Sequence, residues 1–341
     1  MAVPAPVPLD DEHDSASEDE RHFPGAEATD PDVEELLSDD FPTYFSERDE
    51  RLFHSHGTSP YPLPVDTPEQ ERMNDQHRAL HELLGGHYPE ACPVEDVLAQ
   101  ELGRQKFALD MCTGTGHWTM DVARDFPHVA FRGLDIVPIS TRYPLPNVQF
   151  TMHDANTPTS YAAGTFDLIH ARSVTMAVTS YAALLAEAAR LLRPRGLFLS
   201  GEWARSLVFH PDFAPRTLPT HAPALTAFFA RLHAALAARG LHPIPPPVAP
   251  LLAHTRAFAD IAPRTYHMPL GAWPPDPAGQ RLGLAFRTVF LRYVASMRPM
   301  LAEGGAFSAA AYDDMYARVE REVRTVAGLV AVFHTVHARK I

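Results

Sequence analysis

Between residues 107 and 170, four short apolar runs each finish at or near a polar side chain. Phe107-Ala108-Leu109 ends in Asp110, and Ala130 to Leu134 ends in Asp135. Asn147 to Met152 ends near Asp154, and Phe166 to Ile169 ends in His170. A fifth run, Gly196 to Ser200, follows the pattern Leu184, Leu185, Ala188, Leu191 of an amphipathic helix, which is expected to close at Pro194-Arg195-Gly196. Short strands alternating with helical or turn segments predict a parallel sheet in an α/β fold. Ligands of such sheets bind at the carboxyl ends of the strands, where these polar residues fall.

The elements around this core read less regularly. Asp66-Thr67-Pro68-Glu69 carries the cap, proline and acid of a helix start, and predicts a helix running to Leu84 before Gly85-Gly86. Leu225, Phe228, Phe229, Leu232 and Leu236 predict a second amphipathic helix over 222–240. Leu241 to Pro250 is Pro-rich and expected to be extended. A short helix reaches about Ala259. Arg264 to Met268 reads as a strand, 278–302 and 307–328 as helices, and Val330 to Arg339 as a last strand.

Charge separates the chain into two parts. Residues 1–60 hold 17 acids against 3 arginines, whereas the rest is close to neutral. Residues 1–40 combine acidic runs with few large apolars and are expected to be disordered, as a solvating terminus or an interaction tail. A near-neutral body offers no electrostatic reason for a nucleic-acid or anionic-membrane partner. Cys92 and Cys112 are too few for a disulfide framework, and the Met1-Ala2-Val3-Pro4 start lacks the features of a secretory signal. A cytoplasmic location is expected; no Lys/Arg-rich block argues for the nucleus.

The loop Asp110-Met-Cys112-Thr-Gly114-Thr-Gly116 carries the chemistry. Backbone pressed against a ligand at a strand-to-helix turn needs residues without Cβ. Asp135 follows Gly116 by nineteen residues, where a carboxylate accepts both hydroxyls of a ribose. A dinucleotide would want a third small residue, but the position holds Thr119, and Asp110 would repel a pyrophosphate. S-adenosylmethionine has no phosphate and carries an ammonium and a sulfonium, so the electrostatics favour it. No Cys/His spacing resembles a zinc site, and His334 and His337 fall on opposite faces of their strand. No metal is expected.

Ala108-Leu-Asp110-Met-Cys-Thr-Gly114-Thr-Gly116 resembles motif I of class I methyltransferases. With Tyr61 to Arg72, Leu134 to Ile139, His153-Asp154-Ala155, Phe166 to Arg172, Leu192 to Gly196, Met268 to Pro274 and His337 to Lys340, the chain resembles the fungal LaeA-like methyltransferases and a related basidiomycete group. The resemblance implies a Rossmann-like sheet, mostly parallel with its last strand antiparallel. It divides the chain into the acidic arm 1–40, a helical N-terminal cap 41–104, a cofactor-binding core 105–203, and helical insertions with final strands over 204–341.

The implied cofactor is S-adenosyl-L-methionine and the implied acceptor a small molecule. Asp110, Gly114 and Gly116 would hold the methionine end, and Asp135 and Ile136 the ribose and adenine. Asp154 and Ala155 would meet the adenine edge, and His170 and Arg172 the methionine and substrate side. Glu69 and Arg72 would lie over the cofactor. Cys112 stands where the pattern has its first glycine, and is tolerable there if its φ is negative. Methyl transfer needs mainly alignment, with a general base for an oxygen acceptor; His170, His153 and Glu202 are the candidates. Inserted segments 204–260 and 278–328 would form a lid, and Trp273 either walls the substrate pocket or packs as a rigid turn. The competing readings are a cofactor-binding regulator acting through protein partners of the acidic arm, and a nicotinamide dehydrogenase.

Overall fold

The structure, a computed structural model, describes residues 40–55, 59–241, 247–303 and 307–341. The expectation for the arm therefore lies outside the described residues up to residue 39, as does that for 242–246.

The chain enters through a hairpin of β1 (Phe45–Arg48) and β2 (Arg51–His54), then α1 (Thr67–Leu84) and α2 (Val94–Leu98). The alternating core follows: β3 (Lys106–Met111), α3 (His117–Asp125), β4 (Val129–Asp135), β5 (Val148–Met152), β6 (Phe166–Arg172), α4 (Tyr181–Leu191) and β7 (Leu192–Phe209). The remainder adds α5 (Leu218–His221), α6 (Pro223–Ala238), α7 (Val248–Thr255), β8 (Phe258–Pro269), α8 (Pro277–Ser296), α9 (Arg298–Ala302), α10 (Ala309–Thr325) and β9 (Leu329–Lys340). No described helix is long and apolar enough to cross a membrane.

Seven strands form one sheet in the order β5-β4-β3-β6-β7-β9-β8. The strands β3 to β7 are parallel, and β9 runs antiparallel between β7 and β8. This is the expected mixed sheet. Its central strands β3 and β6 are almost wholly buried, which is why they read as unbroken apolar runs. One face packs on α4 and α7 through Tyr181, Leu184, Leu185 and Leu252. The other packs on α2 and α3 through Val94, Leu98, Trp118 and Val122. Connections leave β3 towards β4 on one side and β6 on the other, so a crevice opens at the carboxyl ends of β3 and β6.

The helix starting after Asp66 forms as expected. The Asp66 carboxylate accepts the Glu69 backbone N–H at 3.2 Å, and Gly85, with φ 74°, ends the helix in a left-handed turn. Arg51 of β2 pairs with Asp66, tying the hairpin to the helix.

Four boundaries differ from expectation. The segment 41–104 is not purely helical: its aromatics fold into the β1–β2 hairpin, with Phe53 buried. The turn expected at Pro194-Arg195-Gly196 is absent; β7 starts directly after α4 and absorbs the residues as an irregularity, with Arg195 at φ 66°. The strand β7 also continues past 204 to Phe209, because the antiparallel partner β9 extends its ladder, with a register shift between Trp203 and Leu207. β8 is likewise longer than its sequence signal and ends at Pro269.

Candidate functional site

The glycine loop is built on a buried carboxylate. Asp110 lies directly opposite His170 in the β3–β6 register and accepts a hydrogen bond from its Nδ1 at 2.8 Å. The other oxygen of Asp110 accepts the hydroxyls of Thr113 and Thr119, at 2.8 and 2.7 Å. Burial opposes the charge, but His170 and the two hydroxyls hold the acid below its ordinary range. Asp110 therefore shapes the loop, rather than standing as a free carboxylate in the cavity. The His170 ring stacks on Trp118 with 3.6 Å between centroids, and burial lowers its pKa.

Within the loop, Gly116 has φ 80°, and a Cβ there would lie 2.6 Å from the ring of Phe150. Gly114 has φ 58°, with Met73 of α1 the nearest atom at 3.7 Å from a built Cβ. Cys112 sits at φ 58°, so the condition under which its side chain would be tolerated, a negative φ, is not met. The site does ask for glycine, and a cysteine occupies it in the left-handed region. Burial, reinforced by Asp135, Asp110, Glu202 and Asp154, pushes its thiol well above the usual value, which leaves no thiolate for reactive chemistry.

Asp135 closes β4. One oxygen accepts Gly114 N–H at 2.7 Å, and the other accepts Val137 N–H at 3.2 Å. Burial raises its pKa to about 6 against these donors. Asp154 receives the backbone and side-chain amides of Asn156 on one oxygen, at 2.9 and 2.8 Å. Asp110, Cys112, Gly114, Asp135, Ile136, Asp154, Ala155, His170, Arg172 and Glu202 all line one cavity with about 1630 Å³ of empty space, part of it open to solvent. Gly116 is not on that lining; it serves the loop's packing on Phe150. His153 reaches the cavity too, with Nε2 3.0 Å from the Thr157 carbonyl.

Glu202 is 3% exposed near the middle of β7. Its carboxylate accepts Val174 N–H and the Thr175 hydroxyl, both at 3.0 Å, and the Tyr181 hydroxyl at 3.3 Å. These bonds hold the turn after β6, while burial pushes its pKa up to about 7.

Beyond Glu202 the cavity becomes aromatic. Tyr61, Trp203, Phe286, Phe290 and Tyr293 line it, with Leu207, Val289 and the charged Arg205. These residues escaped the sequence reading, although Phe286, Val289, Phe290 and Tyr293 recur at helical spacing on α8. Nothing in that spacing distinguishes a cavity face from a core face. The lid is thus only half as expected. The second insertion contributes α8, but from 204–260 only Arg205 and Leu207 of β7 line the cavity, while α6 packs in the helical core. The rest of the roof comes from the 59–65 segment and α1. Glu69 lies beneath that roof, not on it: it is fully buried, receiving Arg72 Nε at 2.8 Å and the Ser296 hydroxyl at 2.6 Å. Arg72 itself lines the cavity. Trp273 takes the rigid-turn role, donating to Leu329 O at 3.0 Å and packing on Phe213.

One cluster has no counterpart in the sequence reading. His77, His87 and Asp121 offer donor atoms within 4.8 Å of one another, on α1, its following loop and α3. Their spacing of 10 and 34 residues matches no metal motif, so only the packing of α1 on α3 reveals it.

Residues 88–243 match the family described as Methyltransferase domain. The chain is 35% identical over 148 residues to the secondary metabolism regulator laeA of Coprinopsis cinerea, which is 43% of this chain but only 36% of that protein. It is 26% identical over 256 residues to methyltransferase pytC of Aspergillus terreus, covering 74% of each chain. It is 29% identical over 150 residues to methyltransferase str2 of Strobilurus tenacellus, covering 43% of this chain and 51% of that one.

Proposed function

We propose that this chain, a member of the LaeA-like class I methyltransferases, uses S-adenosylmethionine to methylate a small, largely apolar acceptor. The observation that carries the reading is the convergence of the three strand-end acids Asp110, Asp135 and Asp154 on one cavity roofed by α1 and α8.

The residues present fit the cofactor. Each Asp135 oxygen accepts one backbone N–H and keeps acceptor capacity for ribose hydroxyls. Gly114, which lines the cavity without a side chain, admits a ligand against the backbone. Arg172 lines the cavity with no carboxylate within 4.0 Å among the described residues, as suits the anionic end of an amino acid. Ile136 and Ala155 would flank the adenine, with Asp154 at its edge. When bound, S-adenosylmethionine supplies an electrophilic methyl group on a sulfonium.

The protein's share is alignment and exclusion of water. Tyr61, Trp203, Phe286 and Phe290 would hold a flat apolar acceptor beside Glu202. Glu202, titrating about 7, is the better-placed base for an acceptor hydroxyl. His170 is committed to Asp110 and Trp118, and acts as a loop anchor.

Calorimetry with S-adenosylmethionine and with NAD tests the cofactor; binding of NAD alone would return the chain to the dehydrogenase reading. The laeA match favours one alternative, a cofactor-binding regulator. Incubation with labelled S-adenosylmethionine and a panel of phenolic acceptors separates the two, since a regulator would bind cofactor without labelling any of them.

A further inference from the structure

Arg172 ends β6 and lines the cavity, yet its guanidinium meets no acid within 4.0 Å among the described residues. Its side-chain partner is an imidazole: Arg172 Nη2 stands 3.0 Å from His77 Nδ1. His77, 6% exposed on α1, has its other ring nitrogen 2.9 Å from Asp121 Oδ2 on α3. The donor logic leaves one arrangement. A guanidinium only donates, so Nδ1 must accept. A carboxylate only accepts, so Nε2 must carry the proton.

We infer that Asp121 and His77 are positioning residues, which fix the histidine tautomer and thereby aim Arg172 at the carboxylate of the cofactor's amino-acid tail. The inference rests on the S-adenosylmethionine reading above and extends it. Burial, then Arg172 itself, lowers the His77 pKa to about 4, so the ring stays neutral and remains an acceptor near neutral pH. Asp121 is held charged, with Arg124 at 2.9 Å on its other oxygen. The same line of contacts joins α1 of the roof to α3 and β6 of the core, so the roof and the anion-binding arginine are set together.

His77, Asp121 and the nearby His87 could also be read as ligands for a cation. Two features oppose that. A metal on His77 Nε2 would force the ring proton onto Nδ1, facing an Arg172 N–H. It would also place a cation beside a half-buried guanidinium.

The test compares two ligands that differ in the tail alone. S-adenosylhomocysteine has the carboxylate, and 5′-methylthioadenosine lacks it. Calorimetry should show His77→Leu raising Kd for S-adenosylhomocysteine tenfold or more, and Asp121→Ala several-fold. Affinity for 5′-methylthioadenosine should stay unchanged in both. His77→Asn, whose amide oxygen can stand where Nδ1 stood, should remain within about threefold of wild type. The double variant should be no weaker than His77→Leu alone, since both act through one guanidinium. If His77→Leu fails to fold, Asp121→Ala at the more exposed end carries the test. Unchanged affinity for S-adenosylhomocysteine in Asp121→Ala, or equal losses for both ligands, would overturn the inference. Absence of binding of either ligand to the wild-type protein would instead overturn the cofactor reading.

Discussion

Replacing Glu202 by Gln should stabilise the protein, and by an amount that grows with pH. The carboxyl goes from 4.5 in a model peptide to about 7 in the fold because burial disfavours its charge. An acid raised in the folded state binds its proton more tightly there. Stability is then full below about pH 4.5, falls as pH rises, and reaches its lowest contribution above about pH 7. The shift corresponds to about 3 kcal/mol on the alkaline side. Glutamine should fit the same contacts. Its carbonyl can accept from Val174 N–H and Tyr181, and its amide can donate to the Thr175 hydroxyl, which is able to reverse. Urea titrations of both proteins at pH 5 and pH 8.5 measure the difference. The variant should gain under about 1 kcal/mol at the lower pH and about 2–3 kcal/mol at the higher. A gain that does not change with pH, or a variant less stable than wild type at pH 8.5, would refute the argument that Glu202 is held charged at a cost. The same substitution should slow methylation of a phenolic acceptor while leaving S-adenosylhomocysteine affinity intact.

Cys112→Gly should raise stability by about 1 kcal/mol, because φ 58° is strained for any side chain, and thermal unfolding would register the change. Gly116→Ala should cost about 2–3 kcal/mol in a urea titration, since its Cβ would meet Phe150 at 2.6 Å in a left-handed conformation. Asp135→Ala should weaken S-adenosylhomocysteine binding tenfold or more by calorimetry without unfolding the chain, because removing a half-buried acid raised to about 6 also relieves its desolvation.

Much of the core was legible because its signals are local. The central parallel strands β3 and β6 are buried on both faces and read as apolar runs, and the polar tip of each marks the crevice end. The α1 and α3 boundaries followed from a capping aspartate, a terminal glycine and the glycine loop. Less legible were the features set by a partner far along the chain. The length of β7 comes from β9, 120 or more residues away, whose ladder runs from Leu197 past residue 204 to Phe209. The β1–β2 hairpin, four residues per strand, is too short to declare itself by alternation.

The sequence by itself determined the order of strands and helices in the α/β core, the acids at its strand tips and the glycine loop between β3 and α3, since these depend on residue type and near neighbours. Tertiary structure alone decided which groups meet. Asp110 faces His170 through strand register, Arg172 meets His77 through the packing of α1 over the sheet, and one face of α8 joins Tyr61 and Trp203 in the aromatic lining of the cavity. Contacts between elements depend on distances closed by folding, and a spacing along the chain carries no record of them.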